Sequence, residues 1–494
     1  MNAFAPAALT ISGIDSGIVL IYLAAITWMG VWIGRGSKSV GDYLLGDGKL
    51  PWWAVLGSIV ATETSTATFL SVPGLAFAKG GNLGFLQLAL GYVLGRFVVA
   101  VWLMPLYFEG RLFTAYEVLH RRFGGWTQKT ASLIFLVTRN VGDGLRLFLT
   151  AIVVREVAGV GDLASIVIVG LCTVAYTFVG GIKAVIWSDC VQLLIYVSAG
   201  VVALLIIAGM LPGGWQELVA FAESSGKLTV FNTAWDFTQK HTLWAGLIGG
   251  TLLTIGTHGT DQMMVQRYLC TASRRDAAWA LVCSGFVVIL QFALFLGVGV
   301  ALAAYESAFP SGVEMTDDRR FIYFIVHHMP VGLVGFTIAG IFSAAMSTLS
   351  SSLNSSAGAM VNDFLGSRLR PSSQLRVTQW LTLLFGVVQM LIATGFAWLN
   401  VRESIVTEVL GVAGFSSGLL VGVFTLGVTT KRVDQASALS GMLAGAAVLV
   451  YVRYGTSIAW PWHTLIGASV TIATGLVVSV LRGNFSRRSH LDGA

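Results

Sequence analysis

Apolar residues in this chain come in long runs, and the runs recur with short polar interruptions from end to end. Stretches of about 20 mostly apolar residues, the length needed to cross a bilayer core, are centred near residues 26, 65, 95, 142, 171, 198, 252, 290, 346, 386, 416, 445 and 471. The pattern predicts an all-α polytopic membrane protein with 13 transmembrane helices, and it makes residues 1–494 a single transmembrane domain. The bulkier connections, about 213–242 and 305–329, are too short to be separate domains.

The polar positions inside the spans carry the chemistry. In the ninth span Ser347, Ser350, Ser351 and Asn354 fall at i, i+3, i+4 and i+7, so they share one helical face while Met346, Leu349 and Leu353 turn elsewhere. A row of hydroxyl and carbonyl oxygens suits a hard cation. It equally suits close helix packing, with hydroxyls bonding across helices or back to their own backbone. The second span holds Ala61-Thr-Glu-Thr-Ser-Thr-Ala-Thr-Phe69 and then Ser71-Val-Pro-Gly74. Backbone freed from helical bonding at membrane depth survives where it lines a cavity or finds protein partners, so a broken helix with carbonyls facing an ion is one expectation. A simple kink at Pro73 is the other.

Three further spans are polar in ways that matter. Gln87 interrupts the third span, whose Gly91 and Gly95 have the spacing of close helix packing. Arg139, Asp143 and Arg146 lie at i, i+4 and i+7 in the fourth span. One carboxylate neutralises one guanidinium, so a positive charge is left over, and a spare arginine is a fork for a substrate carboxylate. An ion ladder bracing helices, or an arginine reaching an interface, fits the same spacing. Asp189 sits about two turns beyond Gly180-Gly181 with no cation one turn away, where a bare carboxylate is costly. A bound sodium ion would neutralise it, as would a proton or a distant basic residue.

Composition agrees with the spans. Of 494 residues 55% are hydrophobic and 11% charged, against roughly 25% charged in soluble domains, and the mean hydropathy is +0.78. That leaves no room for a soluble catalytic or nucleic-acid-binding module. Cys172, Cys190, Cys270 and Cys283 show no paired spacing, which argues against a disulfide framework or a zinc site. No Lys or Arg precedes the first apolar run, so span one is expected to stay as an anchor. With the N-terminus outside, the 30 Lys and Arg residues divide into 19 on inner connections (Arg267 among them), 8 on outer ones and 3, Arg96, Arg139 and Arg146, within spans. This bias predicts N-out/C-in with an odd number of spans. Inner loops facing lipid headgroups then account for the net charge of +6 without nucleic acid. Gly414-Phe-Ser-Ser-Gly418 fits GxSxG but lies in an apolar helical run with no preceding strand, and His258 and His327-His328 have no metal-ligand company, so no enzyme is expected.

Three separated stretches resemble one family in the right order: Tyr176-Thr-x-x-Gly-Gly-Ile-Lys-x-Val-Ile-Trp-x-Asp189, Gln266-Arg267-Tyr268 after a Thr/Asp/Gln cluster, and the serine-rich ninth span. They look like the sodium:solute symporter family, kin of sodium/glucose, iodide, proline and sialic acid symporters, over about residues 15–480 and nearest the bacterial sialic acid branch. The resemblance implies a LeuT-type fold of two inverted five-helix repeats, 52–212 and 243–430, flanked by helices at 15–35 and 434–482. It implies a sodium site made by the carbonyls of Ala61, Thr64 and Ala344 with the hydroxyls of Ser347 and Thr348. A second sodium site carries over onto Asp189, Ser347, Ser350 and Ser351, suggesting two Na+ per cycle. Substrate contacts carry over onto Ser65, Thr68 and Gln87, and those of sugar-binding members onto Thr254 and Thr257. The arginine that holds the sialic acid carboxylate falls at Gly142, flanked by Arg139 and Arg146.

The expected function is thus sodium-driven import of a small polar solute, anionic or zwitterionic, by alternating access. A neutral sugar or polyol symporter, or a sodium-independent facilitator or channel, is the alternative. The partners expected are the solute, sodium and membrane lipid, with the chain working as a monomer in a plasma membrane, the bacterial inner membrane.

Overall fold

The computed structural model describes residues 11–35, 39–110, 112–399 and 405–491. Lys38, Arg111 and Arg402, counted above among the loop charges, lie outside the described residues, as do the side chains of Arg487 and Arg488. The principal helices are α1 (Gly13–Gly34), α2 (Trp52–Glu63), α3 (Thr66–Phe77), α4 (Leu86–Val98), α5 (Gly125–Ala158), α6 (Asp162–Met210) and α7 (Gln262–Leu269). After them come α8 (Arg274–Ala308), α9 (Asp317–His328), α10 (Leu333–Ala359), α11 (Pro371–Leu399), α12 (Ile405–Thr429), α13 (Gln435–Gly455) and α14 (His463–Leu491). No sheet forms among the described residues.

Among the described residues 9 helices are long and apolar enough to cross a membrane, or 10 when the bent pair α2 and α3 counts as one span. The expected centres near 171 and 198 fall on either side of Gly181 in α6, where non-helical backbone (φ 57°, ψ −162°) kinks the run and joins two helices end to end. Only glycine suits that turn, since a Cβ there would meet the Tyr43 carbonyl oxygen at 2.6 Å. The centre near 142 falls in α5, which is rich in charge, and the one near 252 in a segmented run from Ala245 to Leu269.

The break in the second span lies at Thr64 and Ser65, where α2 ends in extended backbone and α3 begins, the two axes bent by 61°. Ser65 and Thr68 cap α3 reciprocally, each side chain taking the other's backbone N–H, which starts a new helix rather than continuing the old one. Pro73 lies inside α3 and does not cause the break. The far end of α3 is closed by Lys227, whose Nζ donates to the carbonyls of Ala76 (2.7 Å), Phe77, Ala78 and Gly81.

Helix α10 is central, packed along α6 and α1 and touching α2, α5, α7 and α11. Every residue from Thr337 to Ala359 is buried, so none of its serines faces lipid. Gly91 and Gly95 pack as their spacing suggests, because a Cβ on Gly91 would sit 2.0 Å from the Gly246 oxygen and one on Gly95 2.6 Å from the Thr251 oxygen. Gly418 likewise closes on Gly467.

Candidate functional site

The broken span and the serine stripe meet. Ending α2 at Glu63 leaves its last carbonyls without helical donors, and α10 supplies hydroxyls there. Thr348 Oγ1 reaches the Thr62 oxygen at 3.0 Å, the Thr64 oxygen at 3.4 Å and its own turn's Ala344 oxygen at 3.3 Å. One residue earlier, Ser347 Oγ donates to Asp189 Oδ1 at 2.6 Å. Carbonyls from one helix end and hydroxyls from a facing helix thus converge in a fully buried pocket of oxygens, the donor set a hard cation prefers.

Asp189 has a partner that local spacing does not reveal. Arg267, assigned from the sequence to an inner connection, is fully buried on α7, with Nη2 3.4 Å from Asp189 Oδ2. Its guanidinium also donates through Nε to Ser58 Oγ at 2.9 Å, through Nη1 to the Met263 oxygen at 2.6 Å, and through Nη2 to Thr62 and Ser351. Asp189 accepts in turn from Ser58, Thr62 and Ser347. The carboxylate is therefore neutralised within the protein, and the ion is not needed to balance it.

The rest of the Gln266-Arg267-Tyr268 run docks α7 in the same way. Gln266 Nε2 donates to Asn354 Oδ1 at 2.8 Å and to the Leu44 oxygen at 2.7 Å, and the Tyr268 hydroxyl to the His258 oxygen at 2.9 Å. The stripe on α10 is thereby used along its length: Ser347 on Asp189, Ser351 on Arg267 and Thr62, Asn354 on Gln266, with Ser350 turned back to the Ser347 oxygen at 3.2 Å.

Beside this pocket lies a cavity of about 130 Å³, counted as space open to the centres of water-sized molecules. Ser65, Thr68, Arg139, Arg146 and Thr257 line it, with Gly142 between the two arginines. Gln87 and Thr254 do not. Gln87 is fully buried and spent on backbone, its Nε2 reaching the Gly84 and His241 oxygens and its Oε1 accepting from Asn232 N at 3.0 Å. Thr254 packs behind the wall against Gly95.

The spare positive charge expected on α5 is cancelled from another helix. Asp261, which caps α7 by accepting from Met263 N, takes Arg139 Nη2 at 2.6 Å. Arg139 Nη1 stands 3.9 Å from Asp143, which holds Arg146 directly. A second charged group was missed from the sequence: Glu63, at the end of α2, pairs with fully buried Arg96 of α4, and His258 Nε2 lies 3.2 Å from Arg96 Nη2. Ionisable residues inside spans are functional candidates by default, so Glu63 and Arg96, in consecutive spans, were the available signal.

Against this geometry, a model of the sodium:solute symporter family matches residues 43–445. The chain belongs to the sodium:solute symporter family. This family member is 28% identical over 487 residues to the sodium/sialic acid symporter of Proteus mirabilis, with 95% of each chain covered. It is 28% identical over 457 residues to the human sodium/iodide cotransporter, covering 90% of this chain and 70% of that protein. A solved structure of the substrate-bound outward-open state of a Na+-coupled sialic acid symporter superposes with a TM-score of 0.86 at 28% identity, over 95% of this chain and 98% of that one. A nucleobase-cation-symport-1 transporter in a closed conformation shares the fold alone, with a TM-score of 0.57 at 11% identity over 88% and 92% of the chains. Fold and family are those of transporters and not of enzymes.

Proposed function

We propose that this chain imports a small polar organic solute bearing a carboxylate, coupled to sodium, by alternating access. The observation that carries the reading is the meeting of the broken α2–α3 backbone with Thr348 of α10, next to the bond from Ser347 to Asp189 and beside the cavity. The first Na+ takes the carbonyls of Ala61, Thr64 and Ala344 with the hydroxyls of Ser347 and Thr348. A second Na+ takes Asp189, Ser347, Ser350 and Ser351. Arg267 Nη2 already bonds Ser351 and faces Asp189, so that second ion binds only as the guanidinium gives way.

Ser65, Thr68, Arg139, Arg146 and Thr257 contact the solute, while Gln87 and Thr254 shape the wall from behind. Sodium drives uptake because it binds the outward-open state more tightly than the inward-open one, and the capping of α2 by α10 is the contact that differs. Each charge carried inward gains about 2.3 kcal/mol per 100 mV. The remaining parts of the reading are a LeuT-type pair of inverted repeats, 52–212 and 243–430, flanking helices at 15–35 and 434–482, 13 spans N-out/C-in, and a monomer in a bacterial inner membrane.

The test is solute uptake into proteoliposomes under an inward sodium gradient, repeated with sodium replaced by potassium. Uptake against a concentration gradient that collapses in potassium supports symport. Equal, merely equilibrating uptake in both salts would make the protein a facilitator.

A further inference from the structure

The charges around the cavity balance and leave two unfinished poles. Arg96, Arg139 and Arg146 face Glu63, Asp143 and Asp261, three against three. His258 Nε2 stands 3.2 Å from Arg96 Nη2, which can only donate, and 3.5 Å from Glu63 Oε2, with Nδ1 3.0 Å from Thr257 Oγ1; as acceptor from Arg96 it is the neutral Nδ1–H tautomer, which adds no charge. A solute with one net negative charge would therefore enter a wall with no surplus cation of its own.

Two wall residues keep free valence toward the cavity. Glu63 lines it with a side chain 14% exposed; Oε2 is engaged by Arg96, and no protein donor among the described residues reaches Oε1. Arg146 lines it with a side chain 15% exposed and holds Asp143 through Nη1, and no protein acceptor among the described residues reaches its Nη2, whereas Arg139 is held by Asp261 through Nη2 with Nη1 3.9 Å from Asp143. One pole accepts and is anionic, and the other donates and is cationic.

The surroundings of the anionic pole are aromatic. Phe85, Tyr92 and Phe292 all line the cavity, with Phe292 edge-on to Phe85 at 5.0 Å between centroids and 6.3 Å from Tyr92. Tyr92 lies one turn before Arg96 on α4, which places this wall next to Glu63. Ring faces beside a carboxylate attract an ammonium, including a methylated one. Arg146 comes from α5, which packs against α11 and α12, whereas α4 packs against α8, so the two poles stand on different walls.

We infer that the solute is a zwitterion, its carboxylate held by Arg146 and its ammonium or quaternary ammonium held by Glu63 and the Phe85–Tyr92–Phe292 wall. This rests on the symport reading above and narrows it from carboxylates in general to amino acids and betaines. It also assigns Glu63 as a determinant of specificity.

The test is binding and sodium-driven counterflow with isosteres that differ by one charge: glycine betaine, 3,3-dimethylbutyrate without the cation, and choline without the carboxylate. Proline with cyclopentanecarboxylate, the common amino acids, N-acetylneuraminate and inositol complete the panel. A zwitterion is expected to bind about tenfold to a hundredfold more tightly than its one-charge isosteres. Glu63→Gln should narrow the ratio between zwitterion and anionic isostere, and Glu63→Asp should restore part of it; a general folding defect moves neither ratio.

If no zwitterion in the panel binds, or if 3,3-dimethylbutyrate, N-acetylneuraminate or inositol binds as well as the best zwitterion, the inference is overturned. Sodium-driven uptake of one of those solutes would overturn it while leaving symport intact. Tight zwitterion binding and uptake indifferent to sodium would do the reverse.

Discussion

Asp189 of α6 and Arg267 of α7 are both fully buried and lie 3.4 Å apart, inside the ring of hydroxyls from Ser58, Thr62, Ser347 and Ser351. A buried ion pair of this kind is weak evidence for stability, because the desolvation of both groups offsets their attraction. Removing one partner is different, since it strands the other charge. Two of those hydroxyls, Ser347 and Ser351, are also proposed for a second Na+, so cation and guanidinium compete for Asp189 and for shared oxygens.

Arg267→Gln should therefore destabilise the sodium-free protein by about 3–5 kcal/mol and enlarge the stabilisation that sodium confers. The measurement is a thermal-unfolding series in detergent at increasing NaCl, with choline chloride holding ionic strength. A sodium-induced shift no larger than that of the wild type would show that the guanidinium and the ion do not share the site. Asp189→Ala removes the carboxylate from both partners, and the second-ion component of the sodium curve should vanish with it.

Thr348 offers a cleaner probe of the first ion, because its hydroxyl spans the helix break while its methyl group only packs. Thr348→Ser keeps the oxygen and should hold the sodium half-saturation near the wild-type value. Thr348→Val, equal in shape, should raise it by about tenfold or more, the worth of one buried oxygen ligand. Uptake measured over a sodium titration separates the two variants. Ser347→Ala, which touches both proposed ion sites, should do more damage than Ser350→Ala, whose hydroxyl bonds its own helix.

What the sequence made legible was local. Apolar runs located the helices, and the i, i+3, i+4, i+7 stripe put Ser347, Ser350, Ser351 and Asn354 on a buried face, because helical periodicity needs only neighbouring residues. The polar run in span two marked the break, although Pro73 drew attention away from Ser65 and Thr68, the pair that starts the new helix. The ladder of Arg139, Asp143 and Arg146 within α5 was legible, but the charge pairing between helices was not. Arg267 meets Asp189 across 78 residues, Arg139 meets Asp261 across 122, and Arg96 meets Glu63 across 33. Spacing rules within a helix see only the next turn, so Asp189 looked unpaired and α5 looked overcharged.

The two arginines of α5 should separate on substitution. Arg139 is held by Asp261 and stands near Asp143, whereas Arg146 has Asp143 alone. Arg146→Lys should raise the solute KM by about tenfold or more, through loss of the planar fork, with a smaller effect on folding. Arg139→Lys should instead lower thermal stability by about 1–3 kcal/mol, since Asp261, which caps α7, loses its close partner. Equal effects of both variants on KM would mean that both guanidinia hold the solute's carboxylate, not Arg146 alone.

The segment that precedes the helical run at Ala245 should respond to acid through His241. Its ring sits edge-on to Phe85, a cavity residue, at 5.5 Å, and its backbone oxygen accepts from Gln87 at 3.3 Å. Burial, and then the neighbouring charge of Lys240, push its pKa down from 6.5 to about 4. The packed segment thus refuses a proton that the opened segment accepts, so the histidine's contribution to closure is complete above about pH 6.5 and is lost progressively as pH falls toward about 4. Hydrogen exchange across residues 229–243, corrected for intrinsic rates, should show protection falling through that window. His241→Gln should flatten the dependence, and since Phe85 belongs to the cavity wall, the rise in solute KM on acidification should flatten with it. Protection that stays constant from neutral pH to about 4.5 would mean that the ring titrates without the segment opening.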